Sequence, residues 1–238
     1  MTTSPRSRLA LALLASTLAA LSLAMASWAG GPAGASTRGA LGLAKSRLLR
    51  LSDLPAGWKA VTGVTTGGGG PFPGAGQLAR CIGVPASVIT AKPPEADSPD
   101  FQNKDGSLGV QDSVSVFSSA GLATAELHAI ADAKTPSCMA AFANTPTFKA
   151  KLLGSAGQGA TIGTISVAPL PSGPSGLGAA GFTISVPVHA GRSTVTSVLT
   201  EVFAVRGRLG VQVTFDSYDA AFPAALARRL VGTAERRL

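Results

Sequence analysis

Three segments of the chain alternate apolar and polar residues with a period of two, and this pattern constrains the fold most strongly. Residues 108–116, 182–188 and 209–215 place Leu, Val, Ile or Phe at almost every second position. A β-strand sends successive side chains to opposite faces, so each segment predicts a strand with one buried face. The Asp-Gly pair at 105–106 and the Arg-Gly-Arg sequence at 206–208 are turn signals. Together they predict antiparallel hairpins.

Helical patterns separate these strands. Ser118 or Ser119 can cap a helix that runs to about residue 134, and a second helix follows the Thr-Pro pair at 135–136. Asp219 can cap a closing helix with an apolar stripe. Strands in runs with segregated helices predict the α+β class, as an antiparallel sheet of about five to six strands with helices packed mainly on one face.

Two local predictions concern the edges of this sheet. Pro187 interrupts an alternating segment, and because Pro lacks an N–H donor it predicts an edge strand or a bulge. Residues 161–168 predict one strand, and the Pro-rich, polar residues 92–99 predict a loop.

The N-terminus has the pattern of a secretory signal peptide. Arg6 and Arg8 precede residues 9–26, which contain no charge and no Pro. Small residues at 33–35 fit a cleavage site, and residues 27–29 are a second option. The alternative is an uncleaved membrane anchor, because the apolar segment approaches spanning length.

We therefore predict a signal peptide over residues 1–35 and a single α+β domain over residues 36–238. The protein is then secreted or extracytoplasmic through a Sec-type signal. The cleavage region contains no Cys, so the sequence does not predict a lipoprotein.

The two cysteines, Cys81 and Cys138, predict one structural disulfide, because exported compartments favour such bonds. A reactive or metal-binding thiol pair is the alternative, and it lacks the close Cys spacing of those sites. Two Cys and two His are too few for a Cys/His-rich zinc module.

Motifs of common catalytic sites are missing from the sequence. It contains no Gly-x-Ser-x-Gly elbow, no Ser-x-x-Lys, no His-Glu-x-x-His and no P-loop. We therefore predict no catalytic residue, no metal ligand and no cofactor.

Two carboxylates interrupt apolar strand faces and are the candidate ligand-binding residues. Asp112 lies on the apolar face of residues 108–116, and Glu201 shares a face with Leu199 and Phe203. A buried carboxylate must be hydrogen-bonded, paired or neutralised. If the two meet, they could be an acid–base pair or the polar floor of a pocket. Alternatively, each reaches solvent or pairs with an Arg.

The formal charge of +8 comes from the ends of the chain. A C-terminal cluster could contact an anionic envelope polymer or lipid headgroups, and the alternative is a solvated helix face. This clustering is not a basic stripe interleaved with aromatics, so no nucleic-acid partner is predicted. The cluster consists of Arg228, Arg229, Arg236 and Arg237.

Short motifs carry a family resemblance. Residues 48–58 contain "D-L-P-x-G-W", residues 114–117 read "V-x-V-F" before an Ala-rich helix, and Phe222-Pro223 opens a helix that ends at Leu238. The set resembles exported actinobacterial proteins related to the extracytoplasmic sensor domain of PknH-type kinases. The resemblance implies an α+β sandwich and a ligand-sensing role. Several relatives have two disulfides, whereas this chain can form one.

These observations predict an exported sensor-like or ligand-binding domain of the cell envelope, non-catalytic, whose partner is an unknown small or apolar envelope ligand. Two alternatives remain open. One is a hydrolase with a carboxylate site at Asp112 and Glu201, and the other is a structural, envelope-associated interaction protein.

Overall fold

The computed structural model describes residues 37–61, 75–90, 93–153, 159–170, 179–191 and 193–238. The predicted signal peptide, residues 1–35, lies outside these ranges. Seven α-helices occur in the described residues: α1 (Thr37–Arg47), α2 (Ala75–Ile82), α3 (Ala86–Thr90), α4 (Ala120–Ala131), α5 (Thr135–Ala143), α6 (Pro146–Leu153) and α7 (Ala224–Arg237). None of them has the length and hydropathy needed to span a bilayer.

Nine strands of the described chain form one antiparallel sheet. They are β1 (Lys59–Val61), β2 (Glu95–Asp97), β3 (Asp100–Gln102), β4 (Leu108–Val116), β5 (Ala160–Ile162), β6 (Ser166–Pro169), β7 (Ala180–Ala190), β8 (Ser193–Arg206) and β9 (Leu209–Tyr218). The order across the sheet is β1-β3-β4-β9-β8-β7-β5, with β2 also on β4 and β6 also on β7.

The α+β class with an antiparallel sheet is confirmed. Two details differ from the prediction of about five to six strands with helices mainly on one face. Part of the difference in number is that β2 forms within residues 92–99, which were predicted to be a loop, and that β5 and β6 divide the single strand predicted at 161–168. In addition, helices cover both faces of the sheet.

One face of the sheet, here called the α7 face, packs against the first and last helices. Val114 and Phe215 on this face are completely buried, and α1 and α7 contribute small or branched apolar residues such as Ala44 and Leu230. The predicted apolar face of residues 108–116 is therefore confirmed. This packing also brings the beginning and end of the described chain together, because Arg237 Nη2 lies 2.8 Å from Asp53 Oδ1.

The other face, here called the α4 face, is covered by α2, α4 and α5 over strands β7 and β8. Phe182 and Leu199 project into this core and meet Leu127 of α4. Cys81 of α2 and Cys138 of α5 form the predicted disulfide. The bond joins two helices on the same side of the sheet.

The hairpin and cap predictions are confirmed in part. Gly106 has a φ of +73° in the turn between β3 and β4, and Ser119 caps α4 by accepting a hydrogen bond from the Leu122 N–H. Asp219, however, does not cap α7, which begins at Ala224. Its side chain accepts a hydrogen bond from the Thr196 backbone N–H at 2.8 Å, so it closes the end of the β8–β9 pair instead.

The edge prediction for Pro187 is wrong, because β7 has partners on both sides. One partner is β8, and the other side is shared by β5 and β6, which divide the single strand predicted at 161–168. Pro187 lies between the two short pairings, where its missing N–H removes no ladder bond, and its carbonyl accepts from the Gly163 N–H.

Removal of the disulfide is expected to destabilise the domain strongly. The bond closes a sequence separation of 57 residues, and chain entropy then predicts a loss of about 4 kcal/mol when both Cys81 and Cys138 are replaced by Ala. Urea unfolding measures this difference. Reduced wild-type protein, which keeps both side chains, is the control for lost packing. A loss below about 1 kcal/mol in both samples would contradict the assignment.

A second stability test addresses the register of β7 and β8. A Cβ at Gly181 would lie 2.2 Å from the backbone carbonyl oxygen of Glu201, so Gly181→Ala forces the strands apart. We expect a loss of about 1–3 kcal/mol in urea unfolding. Gly42→Ala is the matched control, because open space surrounds Gly42 in α1 and Ala favours a helix by about 0.5–1 kcal/mol. Equal effects of the two substitutions would refute the register.

Candidate functional site

The two candidate carboxylates, Asp112 and Glu201, do not meet. Asp112 is paired across β4 and β9 with Val213, which is paired in turn with Val202 of β8. Paired residues share a face, and Glu201 precedes Val202, so Glu201 projects from the opposite face. Asp112 lies on the α7 face and Glu201 on the α4 face. The acid–base pair considered from the sequence is therefore not formed.

Asp112 anchors the segment that follows α1. Its carboxylate accepts the Leu49 backbone N–H at 3.1 and 3.2 Å, and its own backbone N–H donates to Ser98 Oγ at 3.0 Å. Burial raises the pKa of Asp112 to about 6, while the bond from Leu49 and the charge of Arg237 oppose that shift. These contacts hold α1 against the sheet.

Glu201 lies at the centre of the α4 face and is completely buried. Its cross-strand neighbours are Phe182 on β7 and Thr214 on β9. It is two residues from Phe203, whose side chain lines the space described next. Glu201 therefore lies beside the cleft that is described next but does not line it. The polar side chains that line this cleft come mainly from β2, β4 and α4.

A cleft opens between α4 and the sheet where helical cover of the α4 face ends. It contains about 350 Å³ of space between atoms, part of it open to solvent. Its described lining contains no Lys, Arg or His, so no basic side chain faces its carboxyls. The lining residues are Glu95, Ser113, Ser115, Phe117, Glu126, Leu127, Ile130, Phe203, Ala204, Val205, Gly210, Val211 and Gln212. We call this space the α4 cleft.

The paired strands β2 and β4 form the first wall of the α4 cleft. The register places Glu95 opposite Ser115 and Asp97 opposite Ser113. Each serine hydroxyl donates to the facing carboxyl, and the bond from Ser115 Oγ to Glu95 Oε2 measures 2.7 Å. Burial raises the pKa of Glu95 to about 7, against the lowering effect of the Ser115 bond. Glu95 thus lies close to half ionised at neutral pH.

The second wall is Glu126 of α4, which is only 8% exposed. Its Oε2 atom is buried and accepts no hydrogen bond within the described part of the chain. Burial, followed by repulsion from Glu95, raises the pKa of Glu126 to about 8. The two carboxyls therefore interact across the cleft, and burial keeps Glu126 mostly protonated at pH 7.

An apolar cavity continues from the α4 cleft beneath the helix. It contains about 320 Å³ of space between atoms, part of it open to solvent, and is lined mainly by α2 and α4. Glu126, Ile130 and Phe203 line both spaces, so Glu126 lies between the polar opening and the apolar interior. The other residues around the cavity are Leu78, Ile82, Ala129 and Thr135.

Another buried carboxyl, that of Asp216, lies on the α4 face of the sheet outside the α4 cleft. Asp216 of β9 pairs with Gly109, and a Cβ at Gly109 would lie 1.9 Å from Asp216 Oδ2, so this carboxyl rests directly on the Gly109 backbone. Burial and the charge of Asp100 raise the pKa of Asp216 to about 7. Burial also raises the pKa of Tyr218. The described residues contain no group of three or more side chains placed to hold a metal ion.

Sequence reasoning missed both carboxyls of the α4 cleft. Glu95 was hidden in residues 92–99, predicted to be a loop, but β2 forms there and turns Glu95 toward the cleft. Glu126 lies on the inward stripe of α4 with Ala123, Leu127 and Ile130. A charged residue at helical spacing within an apolar stripe is a signal that could have identified it.

The C-terminal arginines have different environments. Arg237 forms the ion pair with Asp53, and Arg229 Nη2 donates to the Asp53 carbonyl oxygen at 3.3 Å. Arg228 and Arg236 are exposed on α7. Two of the four predicted envelope contacts therefore also hold the fold together.

A comparison with solved structures found the extracellular domain of PknH from Mycobacterium tuberculosis, with 14% sequence identity and a TM-score of 0.32. The alignment covers 57% of this chain and 62% of that domain, so the chain spans less than two thirds of its length. No family model and no curated protein matches the sequence. The sequence resemblance thus has a weak structural counterpart, which does not by itself establish a shared fold or role.

The raised pKa of Glu126 predicts how stability depends on pH. The unfolded carboxyl loses its proton near pH 4.5, whereas the folded one keeps it until about pH 8. The folded state therefore binds more protons between these values, and stability falls as pH rises through them. Glu126→Gln removes this term, so from about pH 5 to pH 7.5 it should gain about 3 kcal/mol relative to wild type.

Urea unfolding at both pH values measures this gain. Asp105→Asn is the control, because Asp105 is exposed in the β3–β4 turn and the pKa of its carboxyl is lowered by bonds from Ser107. It should leave the pH dependence in this range unchanged. Parallel curves for wild type and Glu126→Gln would show that Glu126 ionises normally.

Proposed function

We propose that this protein is an exported, sensor-like ligand-binding domain that holds a small, partly apolar ligand in the α4 cleft and does not transform it. The observation that carries the proposal is the cleft itself, where two carboxyls converge on walls of Phe, Leu and Ile. Ligand sites combine a mostly apolar lining with a few placed polar groups. The apolar side chains that line the adjoining space beneath α4 would contact a hydrocarbon group.

Export is proposed from the N-terminal sequence and the disulfide. The basic start, the apolar segment and the small residues at 33–35 are typical of secretory signals. The Cys81–Cys138 bond supports an oxidising compartment, because such bonds persist there and are rare in the cytosol. A ligand from the cell envelope would be accessible in that compartment.

The full chain, expressed in an exporting bacterial host and purified from the exported fraction, provides the test. Native mass spectrometry detects any co-purified molecule, and thermal shifts are measured with 1-octanol, n-octylammonium, octanoate and octyl glucoside. We expect a bound molecule or at least one stabilising probe. Ser113→Leu, which fills the cleft floor, should abolish binding. Ser166→Leu on exposed β6 is the control and should preserve it.

The absence of both a bound molecule and any probe-induced shift would overturn the proposed function. Binding that survives Ser113→Leu unchanged would place the ligand elsewhere and would refute the α4 cleft as the site. Circular dichroism of both Leu variants separates loss of binding from loss of folding.

One observation favours a hydrolase as the second candidate. Ser115 Oγ donates to Glu95 Oε2 at 2.7 Å, and the pKa of Glu95 is about 7, which suits a general base near neutral pH. A fluorophosphonate probe distinguishes the two functions. Covalent labelling of Ser115 in wild type but not in Glu95→Gln would support a hydrolase, whereas an unlabelled protein supports binding alone.

A structural or interaction role at the envelope is the third proposal, and it depends on the exposed Arg228 and Arg236. Surface charges of this kind act through screened attraction, so binding must weaken with salt. Co-sedimentation with anionic lipid vesicles at low and high salt tests it. Salt-independent sedimentation, or none, would exclude this electrostatic attachment.

A further inference from the structure

We infer that the α4 cleft recognises the protonated amine of an amphipathic ligand, with Glu126 and Glu95 binding the ammonium group and the apolar residues beneath α4 receiving the hydrocarbon group. This inference rests on the proposed binding function and assigns the chemical class of its ligand. It follows from the hydrogen bonds, the charges and the shape of the cleft.

The hydrogen-bonding state of Glu126 is the first step. Its side chain is more than nine-tenths buried, and Oε2 has no hydrogen-bond donor within the described residues. Buried polar atoms in native proteins are nearly always bonded, so an unsatisfied one needs an explanation such as a bound ligand. Because the Glu126 side chain lines the open cleft, a ligand that enters the cleft and reaches this carboxyl could supply the missing donor.

The charges around the cleft decide what kind of donor fits. Glu95 from β2 and Glu126 from α4 both line the cleft, and the described lining contains no basic side chain. The nearby Arg208, in the turn after β8, donates its Nε–H to the Phe117 carbonyl oxygen at 2.7 Å. A carboxylate or phosphate group on the ligand would find no basic side chain to pair with, whereas an ammonium group would find two carboxyls that can accept its hydrogen bonds.

A primary ammonium matches the arrangement of acceptors. It carries three N–H donors and one positive charge, and charge-assisted bonds to carboxylates are about twice as strong as neutral ones. Glu95 Oε2 already accepts from Ser115, which fixes one wall, and Glu126 Oε2 on the facing wall is unsatisfied. A bound ammonium would also favour ionisation of both carboxyls and so offset the effect of their burial.

The shape of the cavity determines the rest of the ligand. The continuation under α4 is lined by Leu78, Ile82 and Phe203, with Glu126 at its mouth. A ligand with its amine at Glu126 would therefore place its hydrocarbon portion against these apolar side chains. A bare cation leaves this space empty, and a metal ion would find too few ligands. An amphipathic amine satisfies both parts of the site.

The test uses the purified full chain and three probes with the same hydrocarbon chain, n-octylammonium, 1-octanol and octanoate. Titration calorimetry at neutral pH, below the micellar concentrations, measures each dissociation constant. We expect n-octylammonium to bind at least tenfold more tightly than 1-octanol and octanoate to bind most weakly. Glu126→Gln should weaken n-octylammonium at least tenfold and leave 1-octanol within twofold.

Two further variants complete the test. Glu95→Gln should also weaken n-octylammonium, which guards against a folding defect specific to Glu126→Gln. Asp105→Asn removes an exposed acid outside the cleft and should leave all three constants unchanged, so it controls for the loss of one negative charge.

The possible results distinguish failure of the amine assignment from failure of the proposed ligand-binding function. If 1-octanol or octanoate binds as tightly as n-octylammonium, the amine assignment is overturned and the binding function stands. If n-octylammonium binds tightly but Glu126→Gln and Glu95→Gln have no effect, the assignment of the carboxyls is overturned. If no probe binds and no molecule co-purifies, both the inference and the proposed function are overturned.

Discussion

The offset of helices on the two faces of the sheet determines where the polar residues of this protein can lie. On the α7 face, α1 and α7 cover β4 and β9, so these strands present Val and Phe there. On the α4 face the helices lie over β7 and β8, and the faces of β4 and β9 that point to this side carry Ser and Gln. The α4 cleft forms at this boundary, where apolar cover gives way to a polar floor.

The long strands were predictable from the sequence because each buries one face completely. In residues 108–116 and 209–215 the inward positions alternate strictly enough to indicate both the strand and its apolar face. The strand Glu95–Asp97 was not predictable, because its three residues carry no periodic signal and are held by pairing with a longer neighbour. The position of Pro187 was misinterpreted for a related reason, since the gap between β5 and β6 exists only in the assembled sheet.

The candidate site shows the same division between local pattern and tertiary contact. The sequence correctly marked Asp112 and Glu201 as carboxylates on apolar faces, and both are buried. It could not show that they lie on opposite faces, because that depends on the register of three strands. Nor could it bring Glu95 to Glu126, which are far apart in sequence and meet only where β2 and α4 border the same opening.

The disulfide has a consequence for the cleft that differs from its effect on overall stability. The segment closed by Cys81 and Cys138 contains β2, β4 and α4, so both carboxyls of the α4 cleft belong to one covalent ring. The ring begins at Cys81 in α2 and ends at Cys138 in α5. Among the helices that cover the α4 face, α2 precedes α4 along the chain and α5 follows it. Oxidation of two thiols therefore limits how far the two walls of the cleft can separate, and assembly of the opening is coupled to the redox state of its surroundings.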